Sequence, residues 1–158
     1  MKKLLTFIAI SIVGISAFSG CQKYDYNPSM GATIDTMGFT GSGNTNVFAH
    51  VDTTTHNPQI VTIYGTSNVY TPGTAFKPHI TLTAPNIIGT YAIDTNSKTR
   101  GTAMVYTSAT GNTGTVAISG TINILSISGG KIKGNFTLTC LDGTTVTNGQ
   151  YIAEEYNY

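Results

Sequence analysis

The chain has 158 residues, of which 9% are charged, and its eight lysines and arginines nearly balance seven aspartates and glutamates. A chain of this length is typical of one domain. Binding to nucleic acid depends largely on clustered cations that neutralise phosphates, and this sequence has no basic patch of that kind. The composition therefore predicts a small single-domain protein with no nucleic-acid partner.

The first segment has the form of a secretory signal peptide. Lys2 and Lys3 supply a positive start, and an uncharged apolar run follows from residue 4 to residue 18. The run is shorter than the roughly 20 apolar residues that a transmembrane helix needs. A positive start, a short apolar segment and small residues before a boundary indicate a leader that is removed. We predict that residues 1–20 are cleaved, which leaves six basic and seven acidic residues.

Cys21 follows this segment directly. Residues 19–21, Ser-Gly-Cys, resemble a bacterial lipobox, in which the cysteine thiol receives a diacylglyceryl group and becomes the mature N-terminus. Each buried CH₂ of such a lipid contributes about 0.8 kcal/mol to membrane binding. We predict a lipidated tether over residues 21–31, and Gln22 in place of aspartate favours the outer membrane, on its periplasmic side or at the cell surface. The alternative is an ordinary signal peptide with a disulfide between Cys21 and Cys140.

Residues 32–158 are predicted to form one all-β domain. Short runs rich in Thr, Val, Ile and Tyr alternate with Gly, Asn, Asp and Pro, which is typical of antiparallel strands and turns. No segment of the mature chain has apolar residues at a sustained helical spacing. Strands are predicted, in chain order, over residues 32–35, 39–42, 47–52, 59–65, 79–83, 89–94, 102–107, 114–119, 121–128, 131–141 and 145–153. About ten short strands favour an antiparallel β-sandwich, with a lipocalin-like β-barrel as the alternative.

The clearest prediction is a hairpin within residues 122–140. Gly129 and Gly130 can adopt the positive φ that a two-residue hairpin turn requires. Along the second strand of the hairpin, apolar and polar residues alternate between two faces, with Ile132, Gly134, Phe136, Leu138 and Cys140 on one face and Lys131, Lys133, Asn135 and Thr137 on the other. One dry face and one wet face are therefore expected. On this interpretation Cys140 is a small buried core residue.

Four segments share a pattern of glycines and alternating apolar residues: residues 30–39 (MGATIDTMGF), 80–93 (ITLTAPNIIGTYAI), 134–136 (GNF) and 146–151 (VTNGQY). They resemble a β-rich domain of unknown function that recurs in small lipoproteins of the Bacteroidota phylum. Glycines of this kind serve turns or close backbone approach, and the alternating residues build a core. The resemblance implies the β fold and the lipoprotein location, and it implies no catalytic residue.

The candidate metal ligands are His50, Asp52 and His56. His50 and Asp52 share a strand face, and a turn through residues 53–55 would bring His56 near them. A zinc site requires three or four ligands and further side chains that orient them. The competing interpretation is a polar strand end followed by a loop, and no cofactor is predicted.

The remaining residues favour a role without catalysis. The carboxylates form no convincing acid–base pair, and the sequence has no Gly-x-Ser-x-Gly elbow. Tyr64, Tyr70, Tyr91 and Tyr106 divide between the core and the sheet surface, where aromatic faces suit sugars. We predict a membrane-anchored, non-enzymatic structural or binding domain with a glycan or protein partner. The alternatives are a glycan-binding module that uses exposed tyrosines and a small metal-dependent hydrolase.

Overall fold

A computed structural model describes residues 27–54, 58–71, 73, 75–95, 101–107 and 114–156. Within these ranges the chain forms ten strands and no helix, so the all-β prediction and the expected number of strands are confirmed. In chain order the strands are β1 (Ser29–Ile34), β2 (Met37–Ser42), β3 (Val47–Asp52), β4 (Ile60–Thr66), β5 (His79–Pro85), β6 (Gly89–Ala92), β7 (Thr102–Tyr106), β8 (Thr115–Ser128), β9 (Lys131–Cys140) and β10 (Thr145–Glu155). The described part of the chain contains no helix long and apolar enough to cross a membrane.

Seven of the strands close into a ring. From β10 the order is β3, β4, β5, β7, β8 and β9, and β9 pairs with β10 again. These contacts are antiparallel except one, in which Glu154 and Glu155 of β10 run parallel to Phe48 and Ala49 of β3. The ring fits the barrel alternative better than the predicted sandwich, because a sandwich consists of two separate sheets that face each other.

Irregularities in the longest strands help the sheet to close. β8 has 14 residues and two register shifts against β9, and β10 has 11 residues and one such shift. A β-bulge bends its strand and increases the local twist, and closed barrels require both. The two longest strands, β8 and β10, are therefore strands in which bulges bend the sheet.

β8 is one strand where the sequence predicted two, over residues 114–119 and 121–128. The predicted break is at Gly120, which has a φ of 126° and nevertheless keeps the strand continuous. Before Gly120, β8 pairs with β7 through Thr115 and Val116; after it, β8 pairs with β6. The conformational freedom of glycine therefore bends the strand at the point where it exchanges one neighbour for another.

The β1–β2 hairpin lies outside the ring and adds two strands to the side of the barrel formed by β8, β9 and β10. β1 begins at Ser29, so residues 29–31, predicted as the end of the tether, belong to the sheet. β1 pairs with β10 on one side and with β2 on the other. The backbone N–H of Thr145 donates to the carboxylate of Asp35 at 2.7 Å, which fixes the β1–β2 turn against the start of β10. Strands β8, β9, β10, β1 and β2 thus form a continuous five-stranded wall.

The interior is filled by side chains that alternate along the strands. On β9, the predicted dry face is confirmed, because Ile132, Gly134, Phe136, Leu138 and Cys140 are all buried. Core residues from the other ring strands meet them in a single cluster. The opposite faces of the strands therefore remain for contact with solvent or ligands.

Two glycines and two aromatic rings pack reciprocally across β9 and β10. Gly134 is opposite Tyr151, and Phe136 is opposite Gly149. A Cβ atom at Gly149 would lie 2.8 Å from two atoms of the Phe136 ring, so the ring occupies the space of the missing side chain. The hydroxyl of Tyr151 donates to the carbonyl oxygen of Asn123 at 3.0 Å. Both glycines therefore serve close packing rather than turns, as in the aromatic rescue of strand glycines.

Cys140 is expected to be unreactive in the folded protein. The thiol is free and buried, and burial, with smaller contributions from Asp142 and Asp35, raises the pKa of Cys140 from 9.0 to about 11. Because the thiolate is the nucleophile, a thiol-specific disulfide reagent should label a Cys21→Ser chain slowly near pH 8 and rapidly in concentrated urea. The contribution of Cys140 to stability should be complete below the unfolded pKa near 9 and decline as the pH rises towards 11. Rapid labelling of the folded protein near pH 8 would contradict this assignment.

Candidate functional site

Two of the three predicted metal ligands lie on one strand. His50 is exposed on β3, and Asp52 follows it on the same face. One carboxylate oxygen of Asp52 accepts hydrogen bonds from the backbone N–H of Thr54 at 2.9 Å and from its hydroxyl at 2.8 Å. His56 lies outside the described residues. Among the residues that are described, no group of three or more His, Cys, Asp or Glu side chains is placed to hold a metal ion, and the metal hypothesis stays a prediction.

The four tyrosines named from the sequence do not form one platform. Tyr64 stacks on Phe48, with 4.9 Å between ring centroids, and Tyr106 stacks on His79 at 3.9 Å. Each of these two tyrosines thus has one ring face covered by its neighbour. A sugar that stacks on an aromatic side chain needs an open ring face.

The other two tyrosines also have partners. The hydroxyl of Tyr91 donates to the carbonyl oxygen of Ile87 at 2.7 Å. Tyr70 is exposed in the loop between β4 and β5, and the Lys77 ammonium lies 5.0 Å from the centroid of its ring. That separation is within the range of a cation–π interaction. The four named tyrosines therefore have different partners and do not present one continuous aromatic surface.

A groove of about 660 Å³ crosses the outer face of the five-stranded wall. Its floor includes Gly31 of β1, where an added Cβ would meet only the carbonyl oxygen of Phe39, at 3.9 Å. The absent side chain leaves open space between neighbouring strands. The outward side chains that line the groove are Ser29, Thr40, Ser42, Leu125, Lys133, Asn135, Asn148, Gln150 and Ile152. We refer to this feature as the amide groove.

Strand register arranges these side chains in two rows. The first row runs from β8 to β2 through Asn123, Asn135, Gln150, Gly31 and Thr40. The second runs parallel to it through Ser126, Lys133, Ile152, Ser29 and Ser42. Neighbouring strands lie about 4.8 Å apart, so a row across five strands is about 19 Å long. The groove is therefore extended rather than a pocket for a compact ligand.

Hydrogen bonds between amides order one end of the first row. The side-chain amide nitrogen of Asn123 donates to the side-chain oxygen of Asn135 at 2.5 Å. This bond uses the oxygen of Asn135, and the amide nitrogen of Asn135 keeps two donor hydrogens. The side-chain oxygen of Asn123 is buried and has no partner within the described structure. Buried polar atoms are nearly always hydrogen-bonded, so this oxygen is an exception beside the otherwise ordered amide pair.

The opposite rim is held by a second amide network. The amide nitrogen of Asn68 donates to the hydroxyl of Ser42 at 2.6 Å, and the amide nitrogen of Asn46 donates to the side-chain oxygen of Asn68 at 2.9 Å. Asn46 also donates to the backbone carbonyl of Ser42 at 2.9 Å. The end of β2 is thus fixed to the β2–β3 and β4–β5 connections, and the rim is preorganised before any ligand arrives.

The chemistry of the amide groove is that of binding. Amides and hydroxyls can donate and accept hydrogen bonds, and the Lys133 ammonium donates. The residues that line the groove include no carboxylate, imidazole or thiol. Such groups are the usual acids, bases and nucleophiles of enzymes. The side chains of this wall can therefore hold a polar ligand through hydrogen bonds.

The sequence predicted that some of these side chains point outward, but it did not predict that they line one groove. Lys133 and Asn135 were predicted on the wet face of β9, and Asn148 and Gln150 belong to the segment VTNGQY, whose inward residues pack in the core. The residues of β1 and β2 were not associated with them. No family model, curated protein or solved structure matches this chain.

Proposed function

We propose that this chain is a lipid-anchored, non-enzymatic β-domain of the outer membrane, on the periplasmic side or at the cell surface, and that its amide groove binds a ligand. The observation that carries the binding role is the extended groove, whose lining consists largely of hydrogen-bonding side chains and includes no carboxylate, imidazole or thiol. The resemblance of the sequence to small Bacteroidota lipoproteins agrees with this role. Membership of that group of lipoproteins is itself part of the proposal.

The anchoring part of the proposal rests on the N-terminal sequence, and a hydrogen bond at Pro28 determines how far the domain could lie from an anchored Cys21. The carbonyl oxygen of Pro28 accepts a hydrogen bond from the backbone N–H of Gly43 at 2.8 Å, which fixes the chain just before β1. Cys21 precedes Pro28 by seven residues. An extended chain covers at most about 3.6 Å per residue, so an acylated Cys21 would hold Pro28 within about 25 Å of the bilayer. The groove, with Ser29 at its margin, would then lie close to the membrane surface.

The two alternatives from the sequence gain little support. A glycan module built on exposed tyrosines would need open ring faces on one surface, and the named tyrosines lie on separate elements. A metal-dependent hydrolase would need further ligands beside His50 and Asp52, and the described residues offer no third one nearby. The amide groove is one extended polar surface, whereas the tyrosines and the His50–Asp52 pair are separate small features. It therefore supports a binding domain better than either alternative is supported.

Lipid anchoring predicts a clear effect of Cys21→Ser. When the full chain is expressed in a Gram-negative host, the wild-type protein should partition into the detergent phase and sediment with outer membranes. Cys21→Ser should move to the aqueous phase, because a serine hydroxyl is not acylated in place of the thiol and the lipid contribution is lost. Cys140→Ser is the matched control and should remain with the membrane. If Cys21→Ser stays in the detergent phase, the anchoring proposal is wrong.

A further inference from the structure

We infer that the amide groove takes a linear, neutral, hydroxyl-rich ligand, of the chemical class of a neutral oligosaccharide. This inference rests on the proposed binding function and specifies its ligand. It places the binding residues on β1, β2, β8, β9 and β10 rather than on the exposed tyrosines. Three features of the groove support it: its charge, its hydrogen-bonding groups and its position on the sheet.

The groove is almost uncharged. Lys133 is the one lining residue whose side chain is charged near neutral pH, because the other titratable group, the buried phenol of Tyr151, stays neutral. A polyanion would need several cations to offset the loss of its hydration, as in nucleic-acid sites, and a basic peptide would need carboxylates. Neither set of charges is present along the two rows. The charge distribution therefore selects a neutral ligand.

The hydrogen-bonding groups match those of a sugar. Each hydroxyl of a sugar can donate and accept, and the Asn135, Gln150 and Thr40 side chains can do the same. The amide nitrogen of Asn135, whose oxygen is already bonded to Asn123, keeps two donor hydrogens that the oxygen of a sugar hydroxyl can accept. Leu125, which is 60% exposed, and Ile152 provide apolar contact for the carbon-bound hydrogens of the ring. A row of about 19 Å suits a short linear chain better than a single sugar.

The position of the groove separates this ligand from an extended peptide. Peptides commonly bind by adding a strand to a free sheet edge, where unpaired backbone groups give affinity. The amide groove lies across the face of five strands, and the backbone groups of its inner strands pair with one another. Only side chains are available to a ligand there, and most of them are polar. A ligand with many hydroxyl groups satisfies that surface better than a peptide backbone.

The test uses the mature domain and isothermal titration calorimetry. The probes are cellohexaose, maltohexaose and mannohexaose as neutral chains, and hexagalacturonate as the acidic counterpart. We expect saturable binding of at least one neutral probe and no comparable binding of the acidic one. Gln150→Ala should raise the Kd by about three- to tenfold, since it removes one or two hydrogen bonds to the ligand. Gln59→Ala removes an exposed amide just before β4 and should leave the Kd unchanged.

A blocking variant tests the location. Gly31→Trp fills the open space on the groove floor and should weaken binding by at least about tenfold. Gly38→Trp is its control, because an added Cβ at Gly38 meets nothing within 4 Å and Gly38 lies outside the groove. Thermal unfolding checks that both variants are folded.

The outcomes separate the inference from the proposed function. If none of the neutral probes binds, or if Gly31→Trp and Gln150→Ala leave their binding unchanged, the inference is wrong. If only hexagalacturonate binds and Gly31→Trp abolishes that binding, the neutral class is wrong while the groove keeps its proposed role. The anchoring part of the proposed function is decided separately by the partition of Cys21→Ser.

Discussion

Gly134→Ala is expected to destabilise the domain by about 3 kcal/mol or more, at the upper end of the range for overpacked cores. A Cβ atom at Gly134 would lie well inside contact distance of the carbonyl oxygen of Asn123 and of the hydroxyl of Tyr151. The first of these atoms is backbone within a paired strand and cannot move without disturbing the β8–β9 ladder. The second is held by its own hydrogen bond to the same carbonyl. Natural domains are stable by only about 5–15 kcal/mol, so urea unfolding should show a large loss.

The matched control for this variant is Gly38→Ala. Gly38 lies in β2 without a positive φ, and an added Cβ there meets nothing within 4 Å. The substitution should change the free energy of unfolding by less than about 0.5 kcal/mol, or raise it slightly by restricting the unfolded chain. Equal effects of Gly134→Ala and Gly38→Ala would mean that the reciprocal packing of β9 and β10 is wrong.

Gly120→Ala is expected to have the second large effect. The φ of 126° at Gly120 is one that side chains rarely adopt, and such strain costs about 1–3 kcal/mol. A Cβ would also overlap the carbonyl oxygen of Thr137 and lie 2.9 Å from the Cα atom of Leu138. The backbone of Gly120 is also bonded to the residue that follows β6, since its carbonyl accepts the N–H of Ile93 at 3.0 Å. The bend cannot relax without loosening three strands.

Gly143→Ala separates strain from overlap. Gly143 has a φ of 90° in the β9–β10 turn, and its added Cβ would be in open space. This variant should lose only the conformational cost of about 1–2 kcal/mol. The free energy of unfolding of Gly120→Ala, measured with urea, should be lower than that of Gly143→Ala by at least about 1 kcal/mol. The reverse order would show that β8 does not bend at Gly120.

Local patterns predicted the strands better than the way they assemble. The alternation of Ile132, Phe136 and Leu138 marks the buried face of β9, and this face is confirmed. The choice between sandwich and barrel depends on which strands pair, and here the ring closes because β3 pairs with β10 across more than 100 residues. Alternation along a strand carries no information about such partners. Gly120 was misleading for a related reason, since glycine marks a bend as readily as an end.

The amide groove could be predicted only in part for the same physical reason. Asn135 and Lys133 are recognisable as outward residues from β9 alone. Their neighbours Gln150 and Thr40 join them only through the register of β10, β1 and β2, and a shift of one residue would turn every side chain to the other face. Gly31 shows the limit most clearly. A glycine in a strand pattern gives no indication that its missing side chain opens a groove between distant segments.

The parallel contact between the start of β3 and the end of β10 has a consequence for how the chain is made. The ring closes through Glu154 and Glu155, more than 100 residues after their partners Phe48 and Ala49, so it cannot form before β10 has been made. Pairings between distant segments are slow, because the entropy of closing long loops is lost before the contacts form. A nascent chain without β10 therefore has an open sheet, and the ring closes only when the last of the ten described strands joins it.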